Sequence, residues 1–423
     1  MKSRFGVGFD WPFTYDDLRP YYDQVQTEVG LSGDAEAEVW RPPADPYPMP
    51  PLPLFRQATL IAEGFKKLGL RTSPLPMAIN SVEYKGRPAC MNDGWCDAGC
   101  PILALANPLA VYLPEAKAAG AEIRHNSYVT RILKDSRRGH VSGVEYYDAE
   151  ARRRVQPAKL VILAAYTFQT PRILLNSATE DQPNGLANSS GLVGKFLMTH
   201  SSCNIFGFFH EETENFRGTT GGQLLSQEAY KKMPGRGYVN SSQWLIANAL
   251  KPNDLLGIAN SRPDLFGNDL HRFMHTAAKH LATMTFTGED LPKPENRLIL
   301  NHSWRDRHGF PLAHAAHDFG ADDLKCYEAG LKQGQEIFKA AGAYEVWASS
   351  RVHMHAMGGV IMGTASQSSV VNGYGQTHDF PNLFVGGPSL FPTSGAVNPC
   401  FTVTAVSARA ADYIVKNWAS ITS

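Results

Sequence analysis

Cysteine is scarce in this chain, six in 423 residues, too few for the paired framework of a small disulfide-stapled secreted domain. Net charge is absent: 40 Lys and Arg balance 40 Asp and Glu, which removes the electrostatic case for nucleic acid or an anionic membrane as partner. No apolar run is long enough to span a bilayer. The opening residues Met-Lys-Ser-Arg-Phe-Gly lack the apolar core of a secretory signal, and the compartment stays open. Repeats and low-complexity tracts are missing as well. The most consequential absence is a glycine motif. No Gly-x-Gly-x-x-Gly follows a strand-like run, so the usual grip on a dinucleotide's phosphates is not found. Gly6-Val7-Gly8 imitates half of it but precedes no strand–turn–helix unit.

The length exceeds what one hydrophobic core usually serves, so two domains or one discontinuous pair are expected. Thr14 or Asp16 can cap a helix that carries Leu18, Tyr21, Tyr22, Val25 and Val29 on one face. Residues 40–54 are dense in proline and read as an extended loop, and 57–68 as a short amphipathic helix. A cysteine loop follows, then a helix reaching Ala118 and ended by Gly120. Strands are predicted at Ile123, 128–133 and 141–147, with a turn around Gly139 and its neighbouring charges. The continuous apolar run 159–165 reads as a strand buried on both faces. A helix should start at 170–175, with Pro171 near its first turn. Residues 200–300 change character. Strand-like, aromatic-rich stretches at 205–209, 237–250 and 273–287 predict a largely antiparallel sheet. Helices close the pattern at 322–341, capped by Asp322 and stopped by Gly342, and at roughly 399–418. The fold class is α/β, α+β over the whole chain.

Chemistry concentrates near the C-terminus. His355 opens a glycine-rich segment reaching Gly363, a strand-like run spans Asn382 to Gly387, and Asn398 sits just before Pro399. Oxidising an alcohol carbon needs a base for the hydroxyl proton, and histidine suits that role because its pKa lies near neutrality. No side chain accepts a hydride, so a cofactor must. Pro399 favours the first helical position, and a helix starting there would aim free N–H groups at whatever lies in front. The negative charge of a reduced flavin near N1 and C2=O suits that place.

Cys90, Cys96 and Cys100 crowd into eleven residues, with Pro101 next. Three thiolates without a fourth ligand in the loop suit an iron–sulfur cluster with one open corner, of the three-iron kind. Zinc or free buried cysteines stay open as alternatives. His353 with His355, and His271, His275 and His280, lack a third ligand at suitable spacing and read as structural.

Taken together, His355 to Met362, Ser369 to Val371, Asn382 to Gly387 and Pro392 to Thr402 resemble the glucose–methanol–choline (GMC) flavin oxidoreductases. Leu163 to Leu175 and Gly185 to His200 resemble earlier blocks of that family. The Asp10-Trp11-Pro12 segment, Tyr15 to Leu18 and the cysteine loop narrow the resemblance to flavoprotein subunits of bacterial glucose and gluconate dehydrogenase complexes. Leu103 to Leu105 departs from the run usual after the Cys-Pro, and Tyr166 stands where a small residue is common.

The resemblance implies FAD as cofactor, His355 as base and Asn398 as its partner beside the flavin. It implies that Val129 lies near the adenine, Ala164 and Ala165 along the dinucleotide, and Gly386, Gly387, Pro399 and Thr402 near the ring. It points to the iron–sulfur cluster too. A sugar or polyol substrate, a small accessory subunit, a cytochrome c-type electron acceptor and no direct membrane span are further implications. So is a choice of address between cytoplasm and, through a partner's export signal, periplasm.

The expected division is 1–100 for N-terminal helices and cysteine loop, 101–200 for part of the FAD domain, 201–349 for substrate binding, and 350–423 for the catalytic segment. The family's N-terminal Rossmann unit is expected to be lacking here, with 160–165 then exposing apolar faces. A partial gene or misassigned start, a second chain supplying that unit, and a decayed remnant are the competing accounts. Two functional classes follow: a sugar or polyol dehydrogenase, or a non-catalytic fragment that holds no flavin.

Overall fold

The computed structural model of the protein describes residues 1–135, 139–233 and 235–423. Fourteen strands run through the described residues: β1 Ser73–Pro74, β2 Tyr128–Asp135, β3 His140–Tyr147, β4 Arg153–Pro157, β5 Val161–Leu163, β6 Met198–Phe208, β7 Leu224–Ser226, β8 Ser242–Ile246, β9 Leu281–Gly288, β10 Arg297–Arg305, β11 Pro311–Ala316, β12 Glu345–Ala348, β13 Val352–Met357 and β14 Leu383–Val385. The largest sheet has seven strands in the order β1-β7-β8-β9-β6-β12, with β13 also on β6, and all its pairings are antiparallel. β5 and β14 form a separate parallel pair.

Strand alternation gives the large sheet two unlike faces. Cys203, Ile205, Trp244, Ile246, Ala282, Met284 and Phe286 pack in one core with Ile61 and Phe65 of the helix Arg56–Lys67 and with Ile337 and Phe338 of the helix Ala321–Ala341. Toward one end their alternates on the same strands are polar, His200, Ser202 and Asn204 on β6, Gln243 on β8, Thr285 and Thr287 on β9, while Phe206, Phe208 and Leu281 at the other end join a further apolar core. Most of these are buried too. A buried polar face must be hydrogen-bonded or serve a site.

A second core joins Leu18, Ile132, Val161, Leu163, Leu174, Met362, Leu383, Val385 and Ala405. It ties the helix Tyr15–Val29 to β5, β14 and the helix Cys400–Lys416. Full burial of one such side chain, Leu174 for example, stabilises by about 1.5–3 kcal/mol. The Tyr15–Val29 helix begins as its sequence predicts. Thr14 Oγ1 accepts from Asp17 N at 3.3 Å, and Asp17 Oδ2 accepts from Thr14 N at 2.8 Å, a reciprocal cap of about 1 kcal/mol.

Several expectations need correction. Only Val161–Leu163 of the run 159–165 is strand, and Ile162 is 54% exposed rather than covered on both faces. The next helix starts four residues early, at Tyr166, so Pro171 sits inside it. Tertiary packing outweighs the proline's cost there: Ile173 and Leu174 fill the core. Residues 268–280 are helix, not strand, and β9 begins only at Leu281; Phe273 and Ala277, spaced four apart, form its buried stripe. Ile123 lies in irregular backbone. The cap of the Ala321–Ala341 helix is the Asp323 carboxylate on Gly320 N, at 2.6 Å, not Asp322. Of the turn predicted around Gly139, residues 136–138 lie outside the described residues.

Candidate active site

His355 owes its placement to an irregular strand. β13 pairs with β6 as Val352 with Ser202, His353 with Ser201 and Met354 with His200, then resumes with Met357 opposite Met198. Three steps on β13 face two on β6, so one residue is extra. His355 absorbs it with φ +55, a left-handed conformation that costs a non-glycine residue of order 1 kcal/mol and is held only by its surroundings. The bulge re-aims the imidazole. His353, two residues away, turns instead to Thr199 Oγ1 at 3.2 Å and stacks on Phe319, so the two histidines do not act as one metal pair.

His355 Nε2 lies 3.4 Å from Asn398 Nδ2. On the other side of the ring, Nδ1 lies 3.0 Å from Nδ1 of His200. His200 is fully buried, and this burial, with His355 beside it, pushes its pKa down to about 3. Burial lowers the pKa of His355 as well; a ring that stays neutral at neutral pH is able to take a proton. Asn398 itself is exposed. Its Oδ1 accepts from Gln243 Nε2 at 3.1 Å, and Gln243 Oε1 accepts from Gln227 Nε2 at 3.0 Å. The polar face of the large sheet thus meets the C-terminal segment at this pair.

The carboxyl ends of β5 and β14 lie side by side, the usual crevice for a ligand in a parallel sheet. Ala164 and Ala165 follow β5, Gly386 and Gly387 follow β14, and Gly386 N donates to Leu163 O at 3.0 Å. A Cβ on Gly386 would come 3.6 Å from that of Ala164, and Gly387, at φ +93, has open space where a side chain would be. Tyr166 stands at φ +64 and is 47% exposed.

Pro399 caps the helix Cys400–Lys416. Pro399, Thr402 and Val397 line a cavity of about 310 Å³ with Trp11, Phe13, Tyr22 and Phe391. Thr402 Oγ1 shares a hydrogen bond of 2.7 Å with Tyr22. The aromatic walls and the helix N-terminus fit a flat anionic ring. Val129 is not part of this group; it lines a small cavity of its own with Arg172, Asn176 and Asp306.

Cys90, Cys96 and Cys100 all border one small apolar cavity with Ile79, Trp95 and Leu105. Burial raises the Cys90 thiol above its usual range, with the other two cysteines adding to the rise. Among the described residues, no group of three or more His, Cys, Asp or Glu is arranged to hold a single metal ion.

His200, Gln243 and Gln227 were not singled out in the sequence. A signal for the first two exists: strands whose polar alternates, such as Thr283, Thr285 and Thr287, match an apolar row of equal length. The pattern marks a polar face, but only the fold shows that this face is buried.

Residues 7–202 and 292–407 match the N- and C-terminal models of the GMC oxidoreductases. The chain is 30% identical over 421 residues to the fructose dehydrogenase large subunit of Gluconobacter japonicus, covering 99% of this chain and 76% of that one. It is 32% identical to 2-methyl-1,2-propanediol dehydrogenase of Mycolicibacterium austroafricanum, covering 97% and 76%. Among solved structures, formate oxidase of Aspergillus oryzae shares the fold with a TM-score of 0.64 at 13% identity, covering 98% of this chain and 80% of that one.

This chain belongs to the GMC oxidoreductase family. It is a flavin-dependent enzyme of the type that oxidises CH–OH groups, with the α/β class and antiparallel sheet expected from its sequence. Among the described residues no helix is long and apolar enough to cross a membrane.

Proposed function

We propose that the chain dehydrogenates a sugar or polyol, with His355 as the base that removes the hydroxyl proton. The observation that carries this reading is the meeting of His355 Nε2 with the Asn398 carboxamide at 3.4 Å, beside the cavity that Pro399 and Thr402 line. FAD supplies the hydride acceptor that no side chain offers. Ala164, Ala165, Gly386 and Gly387 would hold it along the crevice, Pro399 and Thr402 at its ring, and Val129 at the adenine. His355 Nε2 takes the proton as the C–H bond is broken. Asn398 holds the substrate oxygen against that nitrogen, and its exposure leaves the approach open to substrate. The segment 350–423 brings base and flavin helix in this reading, and 201–349 brings the polar wall that faces the substrate. Such a wall suits a donor with several hydroxyls, as does the likeness to a fructose dehydrogenase and a diol dehydrogenase.

Cys90, Cys96 and Cys100 would hold an iron–sulfur cluster, open at one corner, that passes electrons singly to a cytochrome c-type acceptor. Their convergence on one cavity supports this. A cluster spreads its thiolates over several irons, so a geometry unsuited to a single ion is no obstacle. The name of the Gluconobacter relative, a large subunit, supports a small accessory partner. The reading is tested by His355→Ala. Turnover should fall by about 10²- to 10⁴-fold with flavin content unchanged; full turnover would remove the base from His355.

A further inference from the structure

Beyond the base and its asparagine, the geometry points to Gln243 as a positioning residue that sets which nitrogen of His355 carries the proton, acting through the Asn398 carboxamide. This inference rests on His355 being the base.

Four side chains stand in line: Gln227, Gln243, Asn398 and His355, with His200 beyond. A carboxamide nitrogen only donates and its oxygen only accepts, so the first orientation dictates the rest. Gln243 Oε1 receives the Gln227 N–H, which leaves Gln243 Nε2 to donate to Asn398 Oδ1. Asn398 then presents Nδ2 to His355 Nε2. A donor facing Nε2 needs a lone pair there. The one proton of the neutral ring is therefore on Nδ1, where it is donated to Nδ1 of His200.

The far end agrees with that direction. His200 Nε2 is buried without a hydrogen-bond partner, and the backbone of Ser394 and Gly395 lies against the ring. Backbone carbonyls against a ring favour an N–H on it over a bare lone pair, and the reversed line would leave Nε2 a lone pair sealed from water. With the proton on His200 Nε2, its Nδ1 must accept. The line of carboxamides thus demands one tautomer of His355, with Nε2 bare.

That tautomer is the one a base requires. A hydroxyl proton can pass to Nε2 only if Nε2 carries none. The residue responsible sits on β8, between the two segments that match the family models, 7–202 and 292–407. It sits on β8 and the base on the bulged β13, two strands of one sheet joined through β9 and β6. Register between strands is therefore what couples the substrate wall to the proton acceptor.

Gln243→Glu separates this role from simple support. A glutamate keeps the bond from Gln227, since both of its oxygens accept. It cannot donate to Asn398, so Asn398 must turn Nδ2 toward it and leave Oδ1 facing His355 Nε2, which then binds as N–H. The expected result is a loss of kcat approaching that of His355→Ala, about 10²-fold or more, with KM changed much less.

A second readout needs no turnover: ring-nitrogen NMR of the intact protein labelled with ¹⁵N-histidine, with the His355 signals assigned by their loss in His355→Gln. In the native protein His355 Nε2 should resonate as unprotonated and Nδ1 as protonated, and Gln243→Glu should protonate Nε2. A native protein with the proton on Nε2, or a Gln243→Glu protein with Nε2 bare and kcat intact, overturns the inference. Full turnover in His355→Ala would instead overturn the underlying assignment of the base. An inactive His355→Ala beside a fully active Gln243→Glu sinks the positioning role alone.

Discussion

Gln243 Nε2 donates to Asn398 Oδ1 at 3.1 Å across 155 residues of chain. The bond ties a buried strand of the antiparallel sheet to the exposed residue just before the cap of the last long helix. Its consequence is that Asn398 can offer only its nitrogen to His355, and this makes the charge at position 398 a sensitive probe of the proposed base.

Asn398→Asp keeps the shape and the Gln243 bond but places a carboxylate against His355 Nε2. An opposite charge at that distance favours the imidazolium and raises its pKa by about 1–3 units. As the proposed base, His355 works only when deprotonated. In the native protein burial holds its pKa below the ordinary 6.5, so activity should fall only on the acid side of that value. In the variant the acid limb of kcat/KM should move upward, so that activity is already falling near neutral pH. Coincident profiles would show that the pair does not share the substrate proton.

His200 should make the fold acid-sensitive. Its folded pKa is pushed down to about 3, from an ordinary 6.5. Between those values the unfolded chain holds the extra proton, so stability is lost as pH falls through that window, by up to about 1.4 kcal/mol per pH unit. His200→Asn keeps an acceptor for the His355 N–H and cannot titrate. Urea midpoints measured from pH 7 to pH 4 should therefore fall less steeply in the variant; equal slopes would place the acid sensitivity elsewhere.

Two glycines next to hairpins and bulges should respond differently to alanine. Gly358, at φ +79 just past β13, would bring a Cβ to 2.0 Å from the Phe196 carbonyl oxygen. Gly309, at φ +85 in the β10–β11 turn, has nothing within 4 Å. Gly309→Ala should cost only the backbone strain, of order 1 kcal/mol. Gly358→Ala should cost several times that and shift the bulge that carries His355, lowering both melting temperature and kcat. A Gly358→Ala protein as stable and active as Gly309→Ala would mean that this close approach does not hold the bulge.

Protein purified without oxygen should contain iron and acid-labile sulfide if the cysteine loop holds a cluster. Cys96→Ser should lower both, and should slow electron transfer to a cytochrome more than it slows flavin reduction by substrate. Iron-free native protein that still reduces a cytochrome would remove the loop from the electron path.

Much of the architecture was legible from local pattern. The helix at Tyr15–Val29 announces itself through Thr14, Asp17 and a single apolar stripe. The antiparallel sheet shows in the alternation of β6, β8 and β9. His355 and Asn398 were visible because each sits in a distinctive glycine or proline context. The helix at Asn268–His280 was misread because it runs without a break into the threonine-rich strand β9, while its buried stripe is only Phe273 and Ala277. The early start at Tyr166 was hidden because proline at 171 normally opens a helix rather than sitting inside one.

By itself the sequence determined the family-like blocks, the element types and the two polar side chains near its end, because capping, alternation and glycine turns depend on neighbours a few residues apart. Only the tertiary structure decided which side chains hold those two in place. Sheet register, set by whole rows of paired strands, brings Gln243 and His200 to them from far along the chain. A polar residue in a strand looks the same on paper whether its face meets solvent or another layer. Burial brings those residues against His355 and Asn398, and burial is a property of the packed whole.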